Sequence, residues 1–146
     1  MRLSAKGEYA VRALLDLALA AGDALTPIQD IAARQGIPQR YLEQVLLGLR
    51  HAGFLVSRRG SAGGYRLARP PDQITVGAVL RAVEGTDTAV PARRGAKSAH
   101  PDMGDLAELW REIDQAVSAV IDRVTVEDLR RRAEERRRTA QPMYHI

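Results

Sequence analysis

The sequence predicts a mainly α-helical protein with a small β-wing: a winged helix-turn-helix domain plus a long dimerisation helix. Three patterns predict it. Two apolar-striped helices are joined by a tight turn, a Gly- and Arg-rich hairpin follows them directly, and a later helix has an apolar seam. The 146 residues are enough for about one domain, and aromatic residues are only 4%, so we expect a core of aliphatic side chains.

The charge is unevenly distributed. Residues 1–70 contain ten Lys and Arg against five Asp and Glu, whereas residues 71–146 contain twelve against thirteen. A basic first half is expected of a protein that binds a polyanion such as nucleic acid, although a basic solvated surface fits the charge alone almost as well. The sequence contains no cysteine, which excludes disulfides and any zinc or iron–sulfur site held by thiolates.

Three helices are predicted in the first 53 residues. Ser4 is the expected N-cap of the first, which is amphipathic rather than a secretory signal. Residues 26–29 (Thr-Pro-Ile-Gln) read as a capping box that starts the second. The third runs from about residue 38 to 53, after a Gly-containing turn at 35–38, and has an inner stripe of Leu42, Val45, Leu46 and Leu49. This pair is typical of a helix-turn-helix, although many helical hairpins share it.

A β-hairpin is predicted directly after this helix pair. Residues 54–57 and 65–67 have strand character, and the segment between them is rich in Gly and Arg. Arginines there can pair with phosphates or enter a minor groove, and glycines allow a close backbone approach. Taken alone, the segment fits an ordinary Gly-rich hairpin with solvated arginines equally well. The position of the segment after a helix-turn-helix favours a DNA-binding wing. The wing residues concerned are Arg58, Arg59, Gly60, Gly63 and Gly64.

The second half predicts three more helices. Thr75 caps a short one that closes at Gly85, residues 86–104 have loop composition, and a final helix follows the capping box Thr125-x-x-Asp128. The long helix between them has apolar residues three and four apart. We interpret this seam as a dimer interface, the alternative being a helix packed on its own domain. The seam residues are Leu106, Trp110, Ile113, Val117, Val120 and Val124.

The predicted organisation therefore has four parts. They are a winged helix-turn-helix DNA-binding domain at 1–85, a flexible loop at 86–104, a dimerisation helix at 105–124, and a C-terminal helix and tail at 125–146. The arginine-rich final helix is interpreted as a solvated face.

The chain resembles the Rrf2 family of bacterial winged helix-turn-helix regulators. The matching segments occur in order at 1–10, 41–44, 59–67, 74–77, 109–110 and 125–129. The resemblance implies a homodimer with crossing long helices that binds a palindromic operator in double-stranded DNA. It also implies that Arg40, Tyr41, Glu43 and Gln44 enter the major groove, and that Ser57 and Arg59 reach the minor groove.

The chain departs from the cluster-binding members of that family. Those members hold an iron–sulfur cluster through three cysteines in the loop after the fourth helix, and residues 89–104 contain none. Glu8 and His100 are therefore expected to be surface residues, and we expect no iron–sulfur sensing, metal or cofactor. The resemblance is to the cysteine-free type, the cysteine-metabolism repressors that act with cysteine synthase. It implies that the C-terminal residues Tyr144 and Ile146 contact that enzyme.

Other functional classes are less well supported by the residues. His51, His100 and His145 are scattered and no catalytic constellation is recognisable, so we expect no catalytic residues and no enzyme. Two alternatives stay open: a winged-helix scaffold for protein interactions, and a regulator that senses another small ligand. A repressor is favoured over an activator. The expected location is the cytoplasm, with no membrane partner.

Overall fold

The computed structural model describes residues 4–20, 23–84 and 104–140, in which six α-helices and one two-stranded antiparallel sheet occur. The prediction of a mainly helical protein with a small β-wing is confirmed. A short 3-10 turn at Pro71–Gln73 precedes the fourth helix. In chain order the elements are α1 (Ala5–Leu19), α2 (Ile28–Gln35), α3 (Gln39–His51), β1 (Leu55–Arg58), β2 (Gly64–Leu67), α4 (Val76–Glu84), α5 (Gly104–Ile121) and α6 (Val126–Ala140).

Helix α1 is the central element, and α2, α3, α4 and α6 all contact it. The hydroxyl of Ser4 accepts a hydrogen bond from the Gly7 amide at 3.0 Å, which confirms the predicted N-cap. The helix buries Ala10, Ala13 and Leu14 completely. Because two of these are alanines, neighbouring helices can approach α1 closely, and α1 forms the floor on which the other helices pack.

The hydrophobic core is mainly aliphatic, as predicted, and Phe54 adds an aromatic ring to it. Helix α3 contributes the four residues expected from its periodicity, Leu42, Val45, Leu46 and Leu49, each at most 1% exposed. Burying such side chains removes apolar surface from water and supplies most of the folding free energy. The opposite side of α3 consequently faces away from the core. The other buried core residues include Leu14, Leu17, Ile31, Ile37, Phe54, Leu55, Ile74, Val79 and Val126.

The predicted start of α2 is wrong in its details. Its N-cap is Pro27, and no side chain caps it. Thr26, the expected cap, is instead buried in an extended bridge to Tyr65, with backbone hydrogen bonds of 2.8 and 2.9 Å in both directions. The reason is tertiary: β2 offers Thr26 a strand partner, and this pairing holds the wing against the α1–α2 connection.

The second half is joined to the first through the α5–α6 connection. Thr75 and Thr125 form an antiparallel bridge, and the amide of Val76 donates to the carbonyl of Val124 at 2.9 Å. The Thr125 capping box predicted for α6 is confirmed, since the Thr125 amide donates to the Asp128 carboxylate at 2.9 Å and the Asp128 amide to the Thr125 hydroxyl at 3.1 Å. Thr75 caps α4 as predicted.

Candidate nucleic-acid interface

The outward side of α3 presents the four residues predicted to enter a major groove. Arg40, Tyr41, Glu43 and Gln44 are all exposed, and they lie opposite the buried stripe of the same helix. This separation follows from the helical repeat, since residues three and four apart share a face. The structure therefore brings these four side chains together at the N-terminal half of α3.

Aromatic and cationic contacts fix the start of α3 to α1. The rings of Tyr9 and Tyr41 meet edge to face with centroids 5.4 Å apart, and the Arg12 guanidinium lies 5.7 Å from the Tyr9 centroid. Arg12 also donates to the carbonyl of Gln35 at the end of α2. Tyr41 thus packs partly against α1, and the rest of its side chain is exposed to solvent.

A buried carboxylate at the end of α1 holds α2 in place. Asp16 is only 5% exposed and accepts two hydrogen bonds from Arg34, at 3.0 and 2.8 Å, and one from Gln35 at 3.0 Å. Hydrogen bonding to Asp16 raises the pKa of Arg34 above its ordinary value. This cluster was not among the features predicted from the sequence, although an aspartate on the apolar face of α1 is a visible signal for it. Its effect is to set the position of α2 and, through the short turn, of α3.

The wing is adjacent to the C-terminal end of α3. Strands β1 and β2 pair in register from Leu55 opposite Leu67 to Arg58 opposite Gly64. Arg58 and Arg59 are exposed at the tip, and Ser57 accepts a hydrogen bond from Arg50 of α3 at 3.1 Å. The Ser57 hydroxyl retains its own hydrogen for a further partner.

The three wing glycines differ in their surroundings. Gly60 is exposed with φ of 110°, and a Cβ there would meet no atom within 4 Å. Gly63 is buried, and a Cβ would collide with the Arg58 carbonyl; at Gly64, with φ of 152°, it would collide with the Thr26 carbonyl. Gly63 and Gly64 are therefore required by the wing itself, and their role as DNA contacts remains a prediction.

The surface formed by α3 and the wing is basic. Arg40, Arg50, Arg58, Arg59 and Arg66 are all exposed on these elements. Glu43 is the acidic residue among them. An exposed array of guanidinium groups attracts phosphates over several ångströms and can pair with them bidentately.

The seam predicted on α5 is largely open. Leu106 and Val120 are 43% and 48% exposed, and Trp110, Ile113 and Val117 are half-buried. Helix α5 ends at Ile121, so Val124, placed on the seam by sequence periodicity, instead lies in the connection to α6 and accepts a hydrogen bond from Val76. The chain turns there because residues 124–126 pair with residues 74–76.

Three of the predicted features lie outside the described residues. They are most of the loop at 86–104 with His100, the first three residues of the N-terminal matching segment, and the C-terminal Tyr144 and Ile146. Among the residues that the structure describes, no helix is long and apolar enough to cross a membrane.

Solved structures of bacterial regulators are similar to this chain over most of its length. The structure of T. potens IscR matches with a TM-score of 0.80 and 35% identity, covering 99% of this chain and 97% of that one. CymR, the global cysteine regulator of B. subtilis, matches with a TM-score of 0.70 and 35% identity, covering 89% of this chain and 96% of that one. The fold is thus that of known winged-helix regulators.

Sequence relatives are transcriptional regulators as well. The HTH-type transcriptional regulator IscR of Aliivibrio salmonicida is 41% identical over 130 residues, which is 88% of this chain and 77% of the relative. IscR of Sodalis glossinidius is 42% identical over 132 residues. These relatives are regulators and not enzymes, in agreement with the expectation for this chain.

Iron chemistry is a point of conflict between the relatives and the sequence. The matching family is described as an iron-dependent transcriptional regulator, and the IscR relatives count against the expectation that iron–sulfur sensing is absent. The donor atoms, however, do not fit a thiolate-held cluster, because the chain has no cysteine. Within 4–20, 23–84 and 104–140, no three His, Asp or Glu side chains are grouped to hold a metal, and Glu8 is within 3.9 Å of Arg12.

The family model matches residues 3–132, nearly the whole chain. The order of elements, the wing and the full-length likeness to known regulators agree with that match. The chain therefore belongs to the Rrf2 family of transcriptional regulators.

Proposed function

We propose that the chain acts as a homodimer that binds a palindromic operator through α3 and the wing and represses transcription from it. The observation that supports the proposal best is the composition of one continuous surface. The polar outward face of α3 is joined through the Arg50–Ser57 hydrogen bond to the wing, whose tip presents Arg58 and Arg59.

The side chains on α3 have the chemistry needed to distinguish base pairs in a major groove. Gln44 can pair bidentately with adenine, Arg40 with the O6 and N7 atoms of guanine, and Glu43 can accept from the amino group of cytosine. Because Glu43 repels phosphates and bases that have no donor, its role is to exclude wrong sequences rather than to add affinity. The arginines of the wing supply phosphate or minor-groove contacts.

Dimerisation is supported by the open apolar seam of α5. None of the described residues of α5 is fully buried, although the helix has an apolar row along its length. A second copy would cover that row and give the two recognition helices the twofold arrangement that a palindromic site requires. A compact dimer bound over a promoter blocks access to it and needs no additional protein-contact surface to do so, which favours repression.

The proposal is tested by selecting bound sequences from a pool of random double-stranded DNA with the purified full chain. We expect enrichment of a palindrome with half-sites about one helical turn apart. Arg40→Ala should abolish enrichment of one base in each half-site, whereas Arg123→Ala, an exposed arginine outside α3 and the wing, should leave the selected site unchanged. Recovery of no preferred sequence would favour the interaction-scaffold alternative.

We propose further that the regulatory signal is not read by a thiolate-held iron–sulfur cluster, since the chain has no thiolate. Likeness to CymR, the global cysteine regulator of B. subtilis, supports cysteine metabolism as the controlled process. Cysteine synthase as the partner, with Tyr144 and Ile146 as its contacts, rests on the sequence resemblance alone. The operator should then be bound with a different affinity when purified cysteine synthase is added. An unchanged affinity would direct the search to another signal, beginning with small ligands.

A further inference from the structure

Leu47 is an exposed leucine in the middle of the polar face of α3. It is 47% exposed, although the helix buries four other aliphatic side chains completely. Leu47 is one helical turn beyond Glu43 and Gln44 and therefore shares their face. The exposed side chains one and two turns before it on this face, Arg40, Glu43 and Gln44, are polar or charged, so Leu47 is an isolated apolar side chain among them.

The next residue, Gly48, leaves the adjoining part of the α3 surface free of side-chain bulk. Glycine inside a helix is less favourable than alanine because it fixes a more flexible backbone. Nothing in the fold requires Gly48, since its φ is not in the left-handed region and a Cβ there would meet no atom within 4 Å. A helix face that is free of side-chain bulk at one point allows a second surface to come close at that point.

We propose that Leu47 is a specificity residue that recognises thymine by contact with its 5-methyl group. The inference rests on the proposed function, and it adds a base that the polar residues of α3 do not read. The thymine methyl is the apolar group that base edges present in the major groove, and aliphatic side chains contact it there. A lone leucine bordered by Arg40, Glu43 and Gln44 is too small an apolar area for a protein interface, but it matches one methyl group.

The test uses the selected operator with thymidine replaced by deoxyuridine, one position at a time in each half-site. This replacement removes the 5-methyl group and leaves the hydrogen-bonding edge of the base unchanged. At one thymine position, wild-type affinity should fall about fourfold per half-site, as expected for one buried methyl group, and about fifteenfold when both half-sites are changed. The Leu47→Ala variant should bind the thymidine and deoxyuridine operators equally.

Two controls separate this role from others. Leu47→Ala removes an exposed side chain and introduces a better helix former, so thermal unfolding and the mass in solution should be unchanged. Arg59→Ala should lower affinity for both operators by the same factor, because a wing contact is indifferent to this methyl group.

Four results would overturn the inference. A deoxyuridine penalty that persists in Leu47→Ala, or no penalty at any position, would show that Leu47 does not contact a thymine methyl although the operator is bound. A change in oligomeric mass in Leu47→Ala would assign Leu47 to a protein contact. Failure of the wild-type chain to bind any operator would overturn the proposed function as well.

Discussion

Helices α3 and α5 both expose large hydrophobic side chains, but the two helices are held in different ways. In the described part of the chain, the exposed large hydrophobics are Tyr41 and Leu47 on α3 and Leu106, Leu109 and Val120 on α5. Helix α3 has a completely buried opposite face, whereas none of the α5 residues whose exposure the structure describes is fully buried. The exposed apolar side chains of α3 thus lie on a helix that is already anchored in the core. Those of α5 lie on a helix that has little core packing within its own chain.

The difference indicates which kind of partner each face requires. An apolar row on a helix without a buried side gains most from a partner that covers it over its whole length, which a second copy of the same helix does. Isolated apolar groups among arginines, a glutamine and a glutamate suit a partner that is mainly polar, such as the base edges and phosphates of DNA. The two faces therefore predict different sensitivities to substitution.

The largest effect is expected from a charge placed in the α5 row. Val117→Glu should weaken dimerisation by about a hundredfold or more, because both subunits would have to bury an unpaired carboxylate. Sedimentation equilibrium measures this directly. Gln115→Glu introduces the same charge on the exposed opposite side of α5 and should leave the dimer intact. Equal behaviour of the two variants would contradict the assignment of the α5 row as the interface.

The next effect concerns the frame that holds α3. Asp16→Ala should lower the free energy of unfolding by about 2 kcal/mol, because it removes the charged hydrogen bonds to Arg34 and Gln35 while half-exposed Arg34 becomes solvated. Chemical denaturation gives the value. Asp23→Ala, at an exposed position, should change it little. A loss no larger than that of Asp23→Ala would mean that α2 is held mainly by its apolar contacts.

At the wing, Arg59→Ala should weaken operator binding by about tenfold and reduce the slope of log affinity against log salt by about one for each lost phosphate contact. Titrations at several salt concentrations measure both quantities. The exposed Arg123, outside α3 and the wing, provides the matched control as Arg123→Ala. Unchanged affinity and slope would show that Arg59 is not part of the DNA interface.

A smaller effect with a defined pH dependence is expected where α5 joins α6. Hydrogen bonds from the Thr125 amide and hydroxyl lower the pKa of Asp128 below its usual value. The stabilisation that the charged Asp128 provides is therefore fully present above the ordinary carboxyl pKa. It is lost as the pH falls through the pKa that Asp128 has in the folded protein. Asp128→Asn should lower Tm at pH 7, and the difference from wild type should shrink below about pH 4. A pH-independent difference would contradict this origin.

The smallest effect is expected at Gly48, where the substitution should stabilise the fold instead of weakening it. Gly48→Ala should increase the free energy of unfolding by up to about 1 kcal/mol, since the position is helical and open. Thermal unfolding tests this, and the same variant should lose operator affinity if DNA approaches the helix there. Stabilisation without any loss of affinity would place the closest approach of DNA elsewhere on α3.

Periodicity is sufficient to predict α3, and composition and position to predict the wing, but neither predicts the contacts that connect these elements to the rest of the fold. The buried stripe from Leu42 to Leu49 follows from spacing alone, as does the outward position of Gln44. Thr26 was misassigned as a cap because its strand partner, Tyr65, is distant in the sequence. Val124 continued the spacing of α5, yet backbone pairing with the segment before α4 ends that helix earlier. Long-range backbone pairing is not encoded in a local pattern.

The antiparallel bridge between Thr75 and Thr125 has a geometric consequence for a dimer joined through α5. Together with the bidentate Arg81–Asp122 ion pair, at 2.6 and 2.8 Å, it fastens the end of α5 to α4 and so to the domain that presents α3. Hydrogen bonding between the two carboxylate oxygens of Asp122 and Arg81 lowers the pKa of Asp122 below its ordinary value. In the proposed dimer, the distance between the two α3 helices would depend on this joint, and a shift of a few ångströms there would move them out of step with the roughly 34 Å repeat of the double helix.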